Sequence, residues 1–251
     1  MSKTVLTRYL GDGVELISLN RPHRLNAIVP ELLDDLISAL AAANADEKVG
    51  AILLTGEGRA FCAGDDLKEF ATQATDEAGT TAYIERIQDV TRAMVLGQRP
   101  VIGAIRGWAV GGGLEWVINC DFAVAAQGTR FFFPEIALGV FVTGGVTELL
   151  PRLVGLQRAR EMILLGEKFD ADQAKAWGLL RDVVADEALL PAALDLARRL
   201  AALPRARVSD LRRILARADG AGLAAAMAAE TAATVKGFLD PETAQRVAQF
   251  R

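Results

Sequence analysis

Residues 103–139 read GAIRGWAVGGGLEWVINCDFAVAAQGTRFFFPEIALG, the one stretch in which a glycine cluster runs into an apolar segment carrying acidic side chains. Gly111, Gly112 and Gly113 can adopt positive φ and let a ligand or another strand approach the backbone closely. The residues after them, LEWVIN, read as the first turns of a helix. The N–H groups of a first turn have no partner inside the helix, and the macrodipole adds partial positive charge there, so an anion site is expected with Gly112 as a donor. Glu115 falls in that first turn, where the dipole favours the ionised carboxylate. Glu135 has opposite surroundings, following Phe131, Phe132, Phe133 and Pro134 and preceding Ile136, Ala137 and Leu138. Burial there would raise its pKa. Two carboxyl groups with pKa values pushed apart form an acid/base pair, and an anion-binding N–H beside them would complete a site. The plainer alternative is that Glu115 caps its helix and Glu135 forms an ion pair.

Around this stretch lies enough chain for one large domain, or a domain with a small appendage: 251 residues, 51% hydrophobic and 24% charged. That is a folded, soluble composition. A net charge of −4 argues against a general nucleic-acid binder, which needs a surplus of Lys and Arg. No run approaches the ~20 apolar residues of a membrane span, and no basic start leads into a signal-length apolar stretch, so no membrane partner and a cytoplasmic location are expected. Cys62 and Cys120 lie far apart in apolar surroundings and read as free buried thiols. His23 is the single histidine, which excludes a Ser/His or Cys/His nucleophile unless His23 itself serves. No cluster has metal-ligand spacing, so no metal is expected.

From the start of the chain, TVLTRYL and VELISLN flank Gly11-Asp12-Gly13 as a hairpin. Pro30 can open a helix with Leu32, Leu33, Leu36, Ile37 and Leu40 on one face. AILLT (51–55) and PVIGAI (100–105) read as strands covered on both faces. Gly56-Glu57-Gly58 lacks the Lys-Ser/Thr of a phosphate loop. Residues 71–80 read as a mobile surface loop and 81–97 as a helix. Strands alternate with helices at spacings of ~40 residues or more, as in repeated β-β-α turns. From 186 the chain is alanine-rich and helical, with a helical appendage from about 200. Residues 198–217 carry seven arginines against Asp210 alone. Solvated faces or salt bridges explain such a run better than a phosphate site.

GWAVGGGLEW, NCDFAVAA and FPEIALG resemble the core signature of the enoyl-CoA hydratase/isomerase, or crotonase, superfamily. In the same order stand LNRPHRLNAI (19–28), GEGRAFCAGDDLKEF (56–70), LLPRLVGLQRAREMILLGE (149–167) and DADQAKAWGLL (170–180). The resemblance spans about residues 3–185 and implies an α/β fold, a crotonase-like spiral of repeated β-β-α units, over residues 1–199. Residues 200–251 would form a helical trimerisation region, in which Lys236 or Arg246 could reach a neighbour's CoA site. It implies that Arg24, Leu25 and Ala27 lie along CoA, and that the N–H groups of Ala63 and Gly112 form the oxyanion hole. Ala63, Gly64, Asp65, Asp66 and Leu67 would line the thioester with Gly111 and Gly112. Asp65 stands where the family carries a small residue; its carboxylate could orient Lys68 or a substrate group, but is expected to point to solvent. Trp116, Pro134, Phe141 and Val142 would shape the acyl pocket, with ordinary core packing the plainer reading of each aromatic.

The activity implied is reversible addition of water to an enoyl-CoA thioester, with Glu115 and Glu135 as the catalytic pair and no cofactor beyond the CoA of the substrate. Enoyl-CoA isomerisation, a thioester lyase or hydrolase activity, and a non-catalytic RNA-binding or scaffold role are the alternatives. A homotrimer or a dimer of trimers is the implied assembly.

Overall fold

The computed structural model describes residues 3–69 and 76–249, with the side chains of 216–221 outside the description. Nine strands are named: β1 Val5–Tyr9, β2 Val14–Leu19, β3 Ala51–Gly56, β4 Val101–Ile105, β5 Trp108–Val110, β6 Phe122–Ala126, β7 Arg130–Phe132, β8 Phe169–Asp170 and β9 Asp182–Val184. The α-helices are α1 Pro30–Ala45, α2 Glu77–Val95, α3 Gly112–Asn119, α4 Glu135–Leu138, α5 Val146–Val154, α6 Leu156–Leu165, α7 Ala171–Ala176, α8 Leu189–Ala201, α9 Arg205–Phe238 and α10 Pro241–Gln249.

The strands make two layers. One sheet has the order β1-β2-β3-β4-β6-β9 and is parallel except for the β1–β2 hairpin; the other has the order β5-β7-β8. Single bridges, Ile28 with Asp65 and Cys62 with Ala109, extend the second layer. The chain therefore leaves each central strand, crosses to the second layer and returns by a helix, which is the expected β-β-α spiral. Period-two alternation explains the continuous apolar runs. Ile52 and Leu54 enter the main core, whereas Leu53 joins Val14, Leu16, Ile102 and Ala104 beneath Leu189, Ala193, Leu196 and Ala197 of α8.

Two boundaries differ from expectation. α2 begins at Glu77 rather than 81, because the Asp76 side chain accepts the Gly79 N–H at 2.7 Å as an N-cap. Residues 71–75 of the expected loop lie outside the described residues, and 77–80 are helix. The division at 199/200 falls inside α8, which covers the sheet, and Val235, Phe238 and Val247 beyond it return to the main core. The arginine run is largely consumed internally. Arg198 pairs with Asp12, Arg207 and Arg213 with Asp210, and Arg212 with Asp121, while Arg212 also donates to the Met94 and Gly97 carbonyls.

Candidate active site

Four segments build the site. The first is the loop after β2, where Leu25 and Asn26 both hold positive φ, +52° and +55°. Buried Asn26 makes this possible: its Oδ1 accepts the Arg21 N–H at 2.8 Å and its Nδ2 donates to the Glu57 and Ala60 carbonyls at 3.0 and 2.9 Å. Arg21 pairs with Asp66 at 3.3 Å and donates to the Ala27 carbonyl. The loop is thereby tied to residues 57–66, and Arg24, Leu25 and Ala27 stand beside the CAGDD segment.

That segment corrects one expectation. The Ala63 N–H donates to the Leu25 carbonyl at 3.0 Å, so it is already engaged and is not the oxyanion donor. The Gly64 carbonyl accepts from Ile28 at 2.8 Å and the Asp66 N–H donates to Ile28 at 3.0 Å. In a parallel ladder the residue between two such groups turns its own N–H to the opposite side. For Asp65 that is the side of Val110 and Gly111, since a Cβ on Gly64 would lie 2.9 Å from the Val110 carbonyl oxygen. Gly64 has φ +81°, a reversal of backbone direction that residue types do not record. The Asp65 N–H, rather than that of Ala63, is therefore the candidate for that role.

A second correction concerns the Asp65 side chain. It does not point to solvent: Tyr83 of α2 donates its hydroxyl to Asp65 Oδ1 at 2.7 Å, on the wall of the pocket. Burial raises the pKa of Asp65, the Tyr83 hydrogen bond opposing, and burial holds Tyr83 well up as the donor.

The glycine cluster is required by three different neighbours. A Cβ on Gly111, at φ +52°, would stand 2.4 Å from Glu135 Oε1; on Gly112, 2.7 Å from Ile28 Cδ1; on Gly113, 2.4 Å from the Cys62 carbonyl oxygen. Glu115 makes the first bond of α3, to the Gly111 carbonyl at 2.9 Å, which leaves the Gly112 N–H among the unpaired donors of the first turn.

Both glutamates are buried, Glu115 to 1% and Glu135 to 8% exposure. Glu115 was expected to stay ionised through the helix dipole. Burial instead pushes it up to about 8, with the charges of Glu230 and Asp65 adding and two hydrogen bonds from Thr143 opposing. Those bonds run from the Thr143 N–H to Oε1 at 2.7 Å and from the Thr143 hydroxyl to Oε2 at 2.6 Å. Burial, then the charge of Glu115, lifts Glu135 well above the carboxylate range. Glu135 Oε2 has no hydrogen-bond partner. Glu115 thus has two donors from Thr143, whereas Glu135 has only its own backbone N–H and an unpartnered Oε2, an imbalance that favours the anion on Glu115 and the proton on Glu135. The expectation that Glu115 stays ionised is therefore not met, since burial raises both carboxyls; they differ instead in the donors that reach them.

The pocket is lined by Ala63, Gly64, Asp65, Leu67, Val110, Gly111, Pro134, Glu135, Leu138, Val140, Phe238 and Val247. Its free volume of about 50 Å³ exceeds the ~10–15 Å³ a single water requires. Of the expected acyl-pocket residues, Pro134 is on the wall. Trp116 and Val142 are fully buried in the main core and Phe141 packs against it, so none of the three forms this wall. The rest of the apolar wall comes from Leu67, Val110, Leu138, Val140, Phe238 and Val247. Cys62 is buried and its thiol is pushed up to about 12 by burial, which leaves it unreactive. Among the described residues no group of His, Cys, Asp and Glu could hold a metal ion.

The family model for enoyl-CoA hydratase/isomerase matches residues 10–246. Over 194 residues, 76% of this chain and 74% of the relative, the sequence is 38% identical to the 1,2-epoxyphenylacetyl-CoA isomerase of Escherichia coli (strain K12). Over 201 residues, 80% of this chain and 76% of the relative, it is 37% identical to the 2,3-dehydroadipyl-CoA hydratase of the same organism. The structure titled OdaA of Pseudomonas aeruginosa superposes with a TM-score of 0.91 at 27% identity, covering 99% of each chain. Spiral fold and sequence together define a protein of the crotonase class. The chain belongs to the enoyl-CoA hydratase/isomerase family and is an enzyme of that class.

Proposed function

We propose that the protein is an enoyl-CoA hydratase that adds water reversibly across the 2,3 double bond of a CoA thioester. The observation that carries the reading is the pair of buried carboxyls in unequal surroundings, Glu115 held by two donors from Thr143 and Glu135 with one oxygen unpartnered, beside the amides of Asp65 and Gly112. The thioester oxygen would sit between those amides. Water addition at Cβ develops negative charge on that oxygen, and fixed N–H donors stabilise the developing charge more than the ground state; one such donor is worth about 10²- to 10³-fold in rate. Glu115, whose anion Thr143 favours, takes the proton of the attacking water, and Glu135 delivers its proton to Cα. Dehydration runs the same steps backwards. CoA would lie along Arg24, Leu25 and Ala27, with Ala63, Gly64, Asp65, Asp66, Leu67, Gly111 and Gly112 flanking the thioester. No cofactor enters the proposed reaction.

Isomerisation is the second reading, since the named isomerase is as similar to this chain as the named hydratase. The two are separated by product mass. Wild type should convert a short 2-enoyl-CoA to a product heavier by one water, and Glu115→Gln and Glu135→Gln should each lose about 10²- to 10⁴-fold in kcat with KM little changed. Conversion of a 3-enoyl thioester without gain of water would replace hydratase by isomerase, and release of free CoA would replace both. We further propose a cytoplasmic homo-oligomer, a trimer or dimer of trimers. Exposed Leu153, Leu156, Leu164 and Leu165 on α5 and α6 support association. No helix among the described residues is long and apolar enough to cross a membrane.

A further inference from the structure

One buried carboxylate lies outside the reaction just described. Glu230, on α9, is 1% exposed. It accepts hydrogen bonds from four uncharged donors: the Gly145 N–H at 2.9 Å and Gln88 Nε2 at 3.4 Å to Oε2, the Thr147 N–H at 2.8 Å and Thr147 hydroxyl at 2.6 Å to Oε1. The reason lies in α5. Its N-cap residue is Gly145, at φ +67°, which offers no side chain to the first-turn amides. Glu230 supplies that cap from another element, where the helix dipole also favours a negative charge.

The capped turn is the one that carries Thr143. Asn119 Nδ2 donates to the Gly144 carbonyl at 2.8 Å, and Thr91 in turn donates to Asn119 Oδ1 at 2.8 Å. A Cβ on Gly144 would lie 2.9 Å from Glu115 Cβ, so this turn packs directly on the glutamate. Residues 143, 144, 145 and 147 are thus each fixed by a side chain: Thr143 by Glu115, Gly144 by Asn119, Gly145 and Thr147 by Glu230.

We propose that Glu230 is a positioning residue for the reaction: by clamping Gly145 and Thr147 it fixes the turn from which Thr143 aims its N–H and hydroxyl at Glu115. The inference rests on Glu115 being the group that accepts the proton from water. A carboxylate that served only to stabilise α5 would change the melting temperature and leave catalysis alone.

The experiment compares wild type, Glu230→Gln, Thr143→Val and the double variant by two measurements. The first is amide hydrogen exchange across residues 143–147 in the protein without substrate. Glu230→Gln turns one acceptor into a donor facing donors, and faster exchange at Thr143, Gly145 and Thr147 is expected. The second is kcat and KM with a short 2-enoyl-CoA. Displacement of a catalytic group by about 1 Å can cost on the order of 10²-fold. Glu230→Gln should therefore lose about 10- to 100-fold in kcat with KM within about threefold, and the double variant should be no slower than Thr143→Val. Unchanged exchange at Thr143, or losses that multiply in the double variant, would overturn the proposal. If Glu230→Gln does not fold, Thr147→Val, which deletes one of the four contacts, carries the same two readouts with a smaller expected loss. If wild type adds no water to the thioester, it is the functional reading that fails, and the exchange measurement still decides whether Glu230 holds the turn.

Discussion

Glu115 and Glu135 differ in how many donors reach them, and that difference has a pH signature. Burial raises Glu115 to about 8, and only its deprotonated form can accept a proton from water. The kcat/KM for hydration should therefore climb as pH rises through the neutral range and level off above about 8; a profile already flat at pH 6 would remove Glu115 as the base. Gly111→Ala offers a second check. The new Cβ would sit 2.4 Å from Glu135 Oε1 at a φ of +52°, so the carboxyl must move. A kcat lower by about 10²-fold is expected, read by steady-state kinetics against a wild-type melting control. At this scale the types of chemical group were legible in the sequence and their directions were not. Glycines, two glutamates and an amide-rich turn are visible as letters. That Gly64 takes a positive φ and that the Ala63 N–H is spent on Leu25, leaving the Asp65 N–H as the candidate donor, are matters of backbone geometry.

Elements were legible wherever both faces are buried or a cap is local. AILLT and PVIGAI become central strands because alternate residues meet the main core and α8. Capping across long separations was not legible: Glu230, in an alanine-rich helix, looks like any surface glutamate until α5 is placed beneath it. Arg212 is the same kind of case. It reads as one member of a basic run, yet its side chain is 9% exposed, pairs with Asp121 and donates to the Met94 and Gly97 carbonyls at and just beyond the end of α2. Breaking a buried ion pair from one side typically costs about 3–5 kcal/mol. Arg212→Met should accordingly lower stability to denaturant by that order while kcat per folded molecule stays near wild type, since Arg212 lies outside the pocket wall. A kcat loss as large as that of a Glu115 variant would contradict this separation.

For the whole molecule the site is a burden on stability. Glu115 and Glu135 have folded-state pKa values raised by burial, so between the ordinary carboxylate range and about 8 the folded protein holds protons that the unfolded chain has released. Stability must fall as pH rises across that window. Glu115→Gln removes part of this dependence: its melting temperature should match wild type near pH 5 and exceed it near pH 8, and a variant less stable at pH 8 would refute the assignment. The pocket wall itself draws on residues as distant as Ala63 and Val247. Composition and motifs foretold the class of fold, but which apolar residues reach this wall depends on how α9 and α10 close over it.

Glu230 also bears on how the protein comes into being. Its partner Gln88 is 142 residues earlier in the chain and Gly145 is 85. Contacts between such distant residues carry the entropy cost of closing the intervening chain, and they are expected to form late in refolding. On dilution from denaturant, helical ellipticity should return ahead of enzymatic turnover, with the lag between them measuring the time α9 takes to find its seat.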